Sequence, residues 1–102
     1  MSMNTQGKIG PDEAEQVAIA ALAFVANDPV LLPRFLSLTG IEVSQIRAAA
    51  SERGFLAGVL QFIRAHEPTL AAFCDSAGFS PNDVAVALRA LPFGDDRFEA
   101  ST

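Results

Sequence analysis

The chain has 102 residues, with seven basic and twelve acidic side chains, and its net charge is −5. This length has room for one compact domain, and a half-apolar composition argues against disorder along the whole chain. One cysteine and one histidine fall short of the roughly three or four ligands of a zinc site, so no metal or other cofactor is expected. The longest apolar run, Val17–Ala26, has ten residues, whereas a bilayer span needs about 20, so no membrane anchor is expected.

Helix signals recur along the chain and strand signals are nearly absent, so the predicted fold class is all-α. The first helix is predicted to begin near Pro11 and to end around Asn27. Asp12 lies in its first turn, where an acid favours the positive end of the helix dipole. Asp28 followed by Pro29 predicts the N-cap and the first residue of a second helix.

The second helix should end at Gly40, because glycine permits a left-handed C-cap. Pro33 falls inside this helix and either distorts it or shifts its true start. A short third helix is predicted over Val43–Ser51, with Ile46 and Ala50 facing inward. The second helix carries apolar residues on one side: Leu31, Leu32, Phe35 and Leu38.

A fourth helix is predicted over Glu52–Ala65, and a fifth from Glu67 to Gly78. Ser80 caps a sixth helix, which continues until Pro92. The fourth helix supplies the apolar residues Phe55, Leu56, Val59, Leu60, Phe62 and Ile63. The expected architecture is therefore a compact bundle of about six short helices.

Three regions follow from these elements. Residues 1–10 are predicted to be a disordered N-terminal tail, residues 11–93 a single helical domain, and residues 94–102 a flexible acidic C-terminal tail. No hydrophobic signal region is found near the N-terminus, and nothing indicates secretion.

The two halves of the domain resemble each other. Similar apolar and glycine signals recur 38 residues apart, as in Gly40 and Gly78, and one inserted residue puts the acid–proline pairs Asp28-Pro29 and Glu67-Pro68 39 apart. This pattern predicts two pseudo-repeats, 11–51 and 52–92, each a three-helix unit with a helix-turn-helix shape. Chance agreement between short helices rich in alanine and leucine is the alternative.

The second unit has the spacing of a DNA-reading helix-turn-helix. Phe73 and Ala77 are expected to face inward, with Gly78 making the turn. The solvent face of the last helix is expected to present Asn82, Asp83, Val86 and Ala87, with Arg89 as its single positive charge. A DNA-binding surface needs several clustered Arg or Lys contacts. Nucleic-acid binding is therefore the disfavoured alternative.

A small-ligand binder or enzyme built around His66 and Cys74 is a further alternative. His66 has no neighbouring nucleophile or orienting partner in sequence, and a role at a helix end is expected for it. Cys74 suits a partly buried thiol, and a lone cysteine fits a reducing compartment. The chain is predicted not to be an enzyme.

The phenylalanines favour protein association. Six of the eight are predicted at helical core positions, whereas Phe93 and Phe98 lie beyond the last helix. These two are the candidate partner contacts, and they either fold back over the bundle or dock on a partner. The first helix is apolar nearly all round from Val17 to Val25, so it is either central or shared with another subunit. The predicted function is a non-catalytic interaction or regulatory module that binds an unknown protein partner or a second copy of itself.

Two segments of the chain resemble a known family. They are ALAFVANDPVLLPRFLSLTGIEVSQIR and FLAGVLQFIRAHEPTLAAFCDSAGFSPNDVAVALRALP. The chain resembles the bacterial, mostly alphaproteobacterial family called domain of unknown function 3572, over about Glu13 to Pro92. The resemblance implies a bacterial cytoplasmic protein, and it implies no activity or site residue.

Overall fold

The computed structural model describes residues 10–52 and 54–92. In these ranges the chain forms six α-helices and no strand, which confirms the all-α prediction. A turn of 3-10 helix, Val43–Gln45, leads directly into the third helix. The predicted tails lie outside the described residues apart from Gly10, and the domain boundaries stay predictions. The helices are α1 (Pro11–Ala26), α2 (Leu31–Thr39), α3 (Ile46–Ala49), α4 (Phe55–Arg64), α5 (Glu67–Ala77) and α6 (Pro81–Ala90).

Local hydrogen bonds define both ends of α1. The backbone N–H of Gly10 donates to Glu13 Oε1 at 3.1 Å, which satisfies an amide left free by the helix start. At the other end, the backbone N–H and the side-chain Nδ2 of Asn27 both donate to the carbonyl of Ala23, at 3.0 and 2.9 Å. Asn27 is thus the C-cap of a helix that ends at Ala26.

The start of α2 follows from one acid and one proline. Asp28 Oδ1 accepts hydrogen bonds from the backbone N–H of Val30 at 2.8 Å and of Leu31 at 3.0 Å, just before the helix. The N-cap is Val30 and regular helix begins at Leu31, so the predicted N-cap at Asp28 and first helical residue at Pro29 are wrong. The reason is that Pro33 has no N–H to donate to the carbonyl of Pro29, so the hydrogen-bond ladder is interrupted there.

The third and fourth helices differ from the prediction. A single helix over Val43–Ser51 was expected, whereas the structure has the 3-10 turn followed by the four-residue α3. Ala49 is buried and Ala50 is half-buried, so the predicted inward position is wrong by one residue. The fourth helix begins at Phe55 rather than Glu52, because Gly54 takes a left-handed conformation with φ of 87° that a helix cannot include.

The central element is α1, which packs against α2, α4, α5 and α6. Its buried face carries three alanines with no exposed surface, together with Val17 and Val25. Alanines at such contacts allow neighbouring helices to approach closely. Of the two alternatives for this apolar helix, a central position or a surface shared with another subunit, the structure bears out the central position. The three alanines are Ala14, Ala18 and Ala21.

Aromatic rings fill the space on either side of α1. Phe35 of α2 meets Phe55 and Phe62 of α4 edge to face, with ring centroids 5.8 and 5.3 Å apart. On the other side Phe73 of α5 meets Phe24 of α1 at 5.6 Å. Such edge-to-face pairs stabilise a core beyond the burial of their surface, each by about 0.5–1.5 kcal/mol.

Among the described residues no single helix is long and apolar enough to cross a membrane. A span of that length and composition is reached only by α1 and α2 together, and these two helices are bent by 112°.

The proposed duplication stays a prediction. Gly40 after α2 and Gly78 after α5 both have left-handed backbone, with φ of 78° and 83°. The helices that follow these turns differ in length, since α3 has four residues and α6 has ten.

Candidate functional site

The corner between α5 and α6 has the predicted helix-turn-helix shape. Gly78 makes the turn, and Phe79 packs on Phe73 with centroids 5.9 Å apart. The backbone N–H of Asp83 donates to Ser80 Oγ at 3.0 Å, and the Ser80 N–H donates to Asp83 Oδ2 at 2.9 Å. This reciprocal capping box fixes the start of α6.

Two residues of this corner were placed wrongly from the sequence. Ala77 was expected to face inward, but it is exposed, and Cys74 is the buried residue one turn earlier. Ala87 was expected on the solvent face, but it is fully buried, because it belongs to an inward stripe with Val84, Leu88 and Leu91 at helical spacing.

The outer face of α6 carries almost no net charge. Asp83 is half-buried and belongs to the capping box, and Arg89 is exposed in the last turn. One acid and one base on this helix do not form the cationic surface that DNA phosphates require. The charges of α6 therefore do not favour nucleic-acid binding.

His66 occupies the N-cap position of α5, as its predicted role at a helix end requires. Its ring does not bond the helix backbone. Instead His66 Nδ1 and Thr69 Oγ1 share a hydrogen bond of 2.8 Å, and Thr69 is 7% exposed. Because Nδ1 is engaged, Nε2 is the ring nitrogen left for solvent or a ligand.

Cys74 is buried inside α5, and the pKa of its thiol is raised above the ordinary value. Burial is the larger cause, and the negative charges of Asp83 and Asp75 add to it. His66 and Cys74 are eight positions apart, which is about 12 Å along a helix, and one is exposed while the other is buried. The structure therefore does not bring these two residues into one site.

An open groove lies between α2 and α5. It contains two adjoining cavities, an inner one of about 140 Å³ and an outer one of about 290 Å³. The inner cavity is lined by Leu31, Arg34, Leu38, Phe62, Ala65, His66 and Thr69. The outer cavity is lined by Phe24, Asp28, Val30, Leu31, Arg34, His66, Pro68, Thr69 and Ala72. We call these two cavities together the α2–α5 groove.

A third cavity of about 450 Å³ continues the groove along α1. It shares Phe24 and Asp28 with the outer cavity and extends towards Ala77. Its walls are mostly small side chains over the Phe24–Phe73 ring pair. The three cavities therefore form one continuous depression on the side of the bundle that exposes α5.

Polar side chains lie at the junction of the two groove cavities. Arg34, His66 and Thr69 line both of them, as does Leu31. Arg34 and His66 are exposed at this junction. Asp28, the acid that lines the outer cavity, accepts two backbone hydrogen bonds through Oδ1. The junction is thus a polar ridge with an arginine cation between two apolar cavities.

Part of this groove was within reach of sequence reasoning. Leu31, Arg34 and Leu38 recur at spacings of three and four, which places them on one helix face. Leu38 was expected on the apolar side of α2 with Leu31, Leu32 and Phe35, but it is 72% exposed, and only Phe35 of α2 is buried. Arg34, which lies between the two leucines in sequence, indicates that this face of the helix borders solvent.

The predicted partner contacts Phe93 and Phe98 lie outside the described residues. Within the described residues no group of three or more His, Cys, Asp or Glu side chains could hold a metal ion.

These features define the chain as a small all-α domain with an apolar groove on one side. The chain belongs to the family described as Protein of unknown function (DUF3572), whose model matches residues 11–94. This membership agrees with the resemblance seen in the sequence. No curated protein and no solved structure matches the chain significantly.

Proposed function

We propose that this protein is a non-catalytic interaction module and that the α2–α5 groove is its contact surface. One observation supports this most strongly. Val30 and Leu38, two of the large apolar side chains left in solvent, are 64% and 72% exposed and both line the groove. Single exposed apolar residues are normal, whereas apolar residues that border a shared concave surface are typical of a binding site.

Val30 and Leu38 are not among the residues of the folded core, so the fold itself does not bury them. The described residues leave no buried side-chain polar atom without a hydrogen-bond partner. Covering Val30 and Leu38 would remove apolar surface from water, which stabilises a complex by about 25 cal/mol per Å² before the costs of association. We propose that another protein covers these two side chains, and a second copy of the chain is the alternative.

Other functions have less support. The face of α6 carries balanced charge, which disfavours nucleic acid, and the raised pKa of Cys74 disfavours a reactive thiol. A reduced, buried Cys74 and the family resemblance support a bacterial cytoplasmic setting, which is part of the proposal. No cofactor and no membrane partner are proposed.

Affinity capture from the native cell tests the proposal. Tagged wild-type protein is expected to retain a defined partner, and Leu38→Asp is expected to lose it, since a carboxylate would have to be desolvated at the apolar contact. The matched control is Ile19→Asp on α1, which is 52% exposed and lines none of the described cavities. Circular dichroism establishes that both variants are folded.

Equal retention by the wild type and both variants would contradict the groove as the contact surface. Sedimentation of the purified chain separates a foreign partner from a second copy. Phe93→Ala and Phe98→Ala in the same capture test whether these residues are additional contacts, as the sequence predicts.

A further inference from the structure

We infer that the occupant of the α2–α5 groove is an acidic amphipathic helix of another protein, with a carboxylate that meets Arg34 and apolar side chains on either side of it. This inference rests on the proposed function and adds the chemistry of the partner. It follows from the shape of the groove, from the order of apolar and polar surface along it, and from the local charge.

The shape of the groove favours a helix. Its two walls are helices, and its floor is formed by side chains such as Phe24, Phe62 and Thr69. The described residues include no strand whose edge could pair with an extended peptide. A helix lies in such a cleft with one apolar face down, using positions three and four residues apart.

The order of apolar and polar surface along the groove determines which residues the partner helix needs on its bound face. Arg34, His66 and Thr69 line both the inner and the outer cavity, at the junction between them. An occupant therefore places one apolar side chain against Leu31, Leu38 and Phe62. It places another near Phe24 and Val30. Between them it presents a polar group to the ridge.

The charge at the ridge selects a carboxylate. Arg34 is a permanent cation with a planar donor group suited to a carboxylate. The Thr69 hydrogen bond holds the His66 ring beside it. Asp28 already accepts two backbone N–H groups, and Glu67 occupies the first residue of α5, at the positive end of the helix dipole.

The same geometry gives the partner a direction. Asp28 lines the outer and third cavities but not the inner one, and Asn27 lines the third. A donor such as lysine on the partner helix fits there, whereas a second acid would face Asp28. The carboxylate of the partner therefore lies towards the Leu38 end.

The test uses a displayed library of single-helix peptides, randomised on one face, selected on the intact protein. Enriched sequences are expected to carry Asp or Glu between two large apolar residues at helical spacing. A synthetic peptide of the winning sequence and its Glu→Lys version are then compared. Wild type should bind the acidic peptide at least about tenfold more tightly.

Charge exchange supplies the decisive comparison. Arg34→Glu is expected to reverse the preference, so that the lysine peptide binds better than the acidic one. Arg89→Glu is the matched control, because it makes the same charge change on α6 and lines none of the described cavities. It is expected to leave both affinities within about twofold, since distant exposed charges are screened by salt.

Several outcomes would overturn the inference. They are enrichment of basic or uncharged peptides, no enrichment at all, and equal effects of Arg34→Glu and Arg89→Glu. A self-associating wild type whose dimer is broken by Arg34→Glu would assign the groove to a second copy instead.

The capture experiment distinguishes a wrong partner chemistry from a wrong proposed function. A cellular partner lost by Leu38→Asp but retained by Arg34→Glu would leave the interaction module in place and remove the acidic helix.

Discussion

Cys74 shows how a residue's surroundings set its chemistry. Its thiol is buried in α5 and has a raised pKa, caused first by burial and then by the charges of Asp83 and Asp75. Since the thiolate is the reactive form, we expect iodoacetamide to alkylate the native protein at least about tenfold more slowly than the urea-unfolded chain. Mass spectrometry over time measures both rates, and equal rates would contradict a buried, raised-pKa thiol.

The same shift has a consequence for stability. A group whose pKa is higher in the folded state stabilises the fold below its unfolded pKa, and this contribution is lost as the pH rises through the folded pKa. The free energy of unfolding should therefore decrease in alkaline solution. Cys74→Ala should lack this part of the pH dependence, which urea titrations on both sides of the thiol transition would reveal.

For single residues, the sequence predicted which phenylalanines are buried better than it predicted which side of a helix faces the core. Phe35 and Phe73 were placed in the core and are buried there. Leu38 was predicted on the same apolar side of α2 as Phe35, yet it is exposed, whereas Leu31 and Leu36 are partly buried against the core. Tertiary packing decides which helices contact each other, and the spacing of apolar residues along one helix does not contain that information.

At the scale of the helices, replacing two glycines by alanine should change the stability of the protein in opposite directions. Gly58 lies inside α4, and Gly78 ends α5 with φ of 83°; an added Cβ meets no atom within 4 Å at either position. Packing therefore does not decide the outcome, and backbone conformation does. Gly58→Ala should stabilise the protein by up to about 1 kcal/mol, because alanine favours helix.

By contrast, Gly78→Ala should destabilise it by about 1–2 kcal/mol, because a Cβ is strained in the left-handed region. Thermal or urea unfolding of the two variants beside wild type measures both changes. Two shifts of the same sign would show that one of these backbone conformations is wrongly assigned.

Helix ends were predictable where a local side chain makes them. Ser80 bonds to an amide three residues away, and short-range sequence carries that information. The start of α4 was missed because a glycine inside an apolar pattern is compatible with helix, and only its left-handed conformation ends the helix. Ala49 rather than Ala50 is buried, one residue from the predicted inward position.

For the whole molecule, the sequence predicted the bundle but not the candidate site. The groove depends on how α2 and α5 are held apart by α1 and α4, so it combines residues as distant in sequence as Phe24 and Ala72. No local pattern contains that arrangement. The spacing of Leu31, Arg34 and Leu38 was the only part of it that one helix could record.

The arrangement depends most on α1, which contacts four other helices through a face of alanines. Ala21→Leu adds volume where no surface is exposed, so helices must move apart or strain their side chains, at a cost of about 1–3 kcal/mol. Ala23→Leu makes the same change on the exposed side of α1 and should stay within about 0.5 kcal/mol of wild type. Urea unfolding followed by circular dichroism gives both values.

Because α1 is shared by its neighbours, Ala21→Leu should lower the midpoint of one cooperative transition rather than split it into two. Equal midpoints for the two variants would mean that α1 is not the packed centre of the bundle, and the groove that α1 helps to hold open would lose its structural basis.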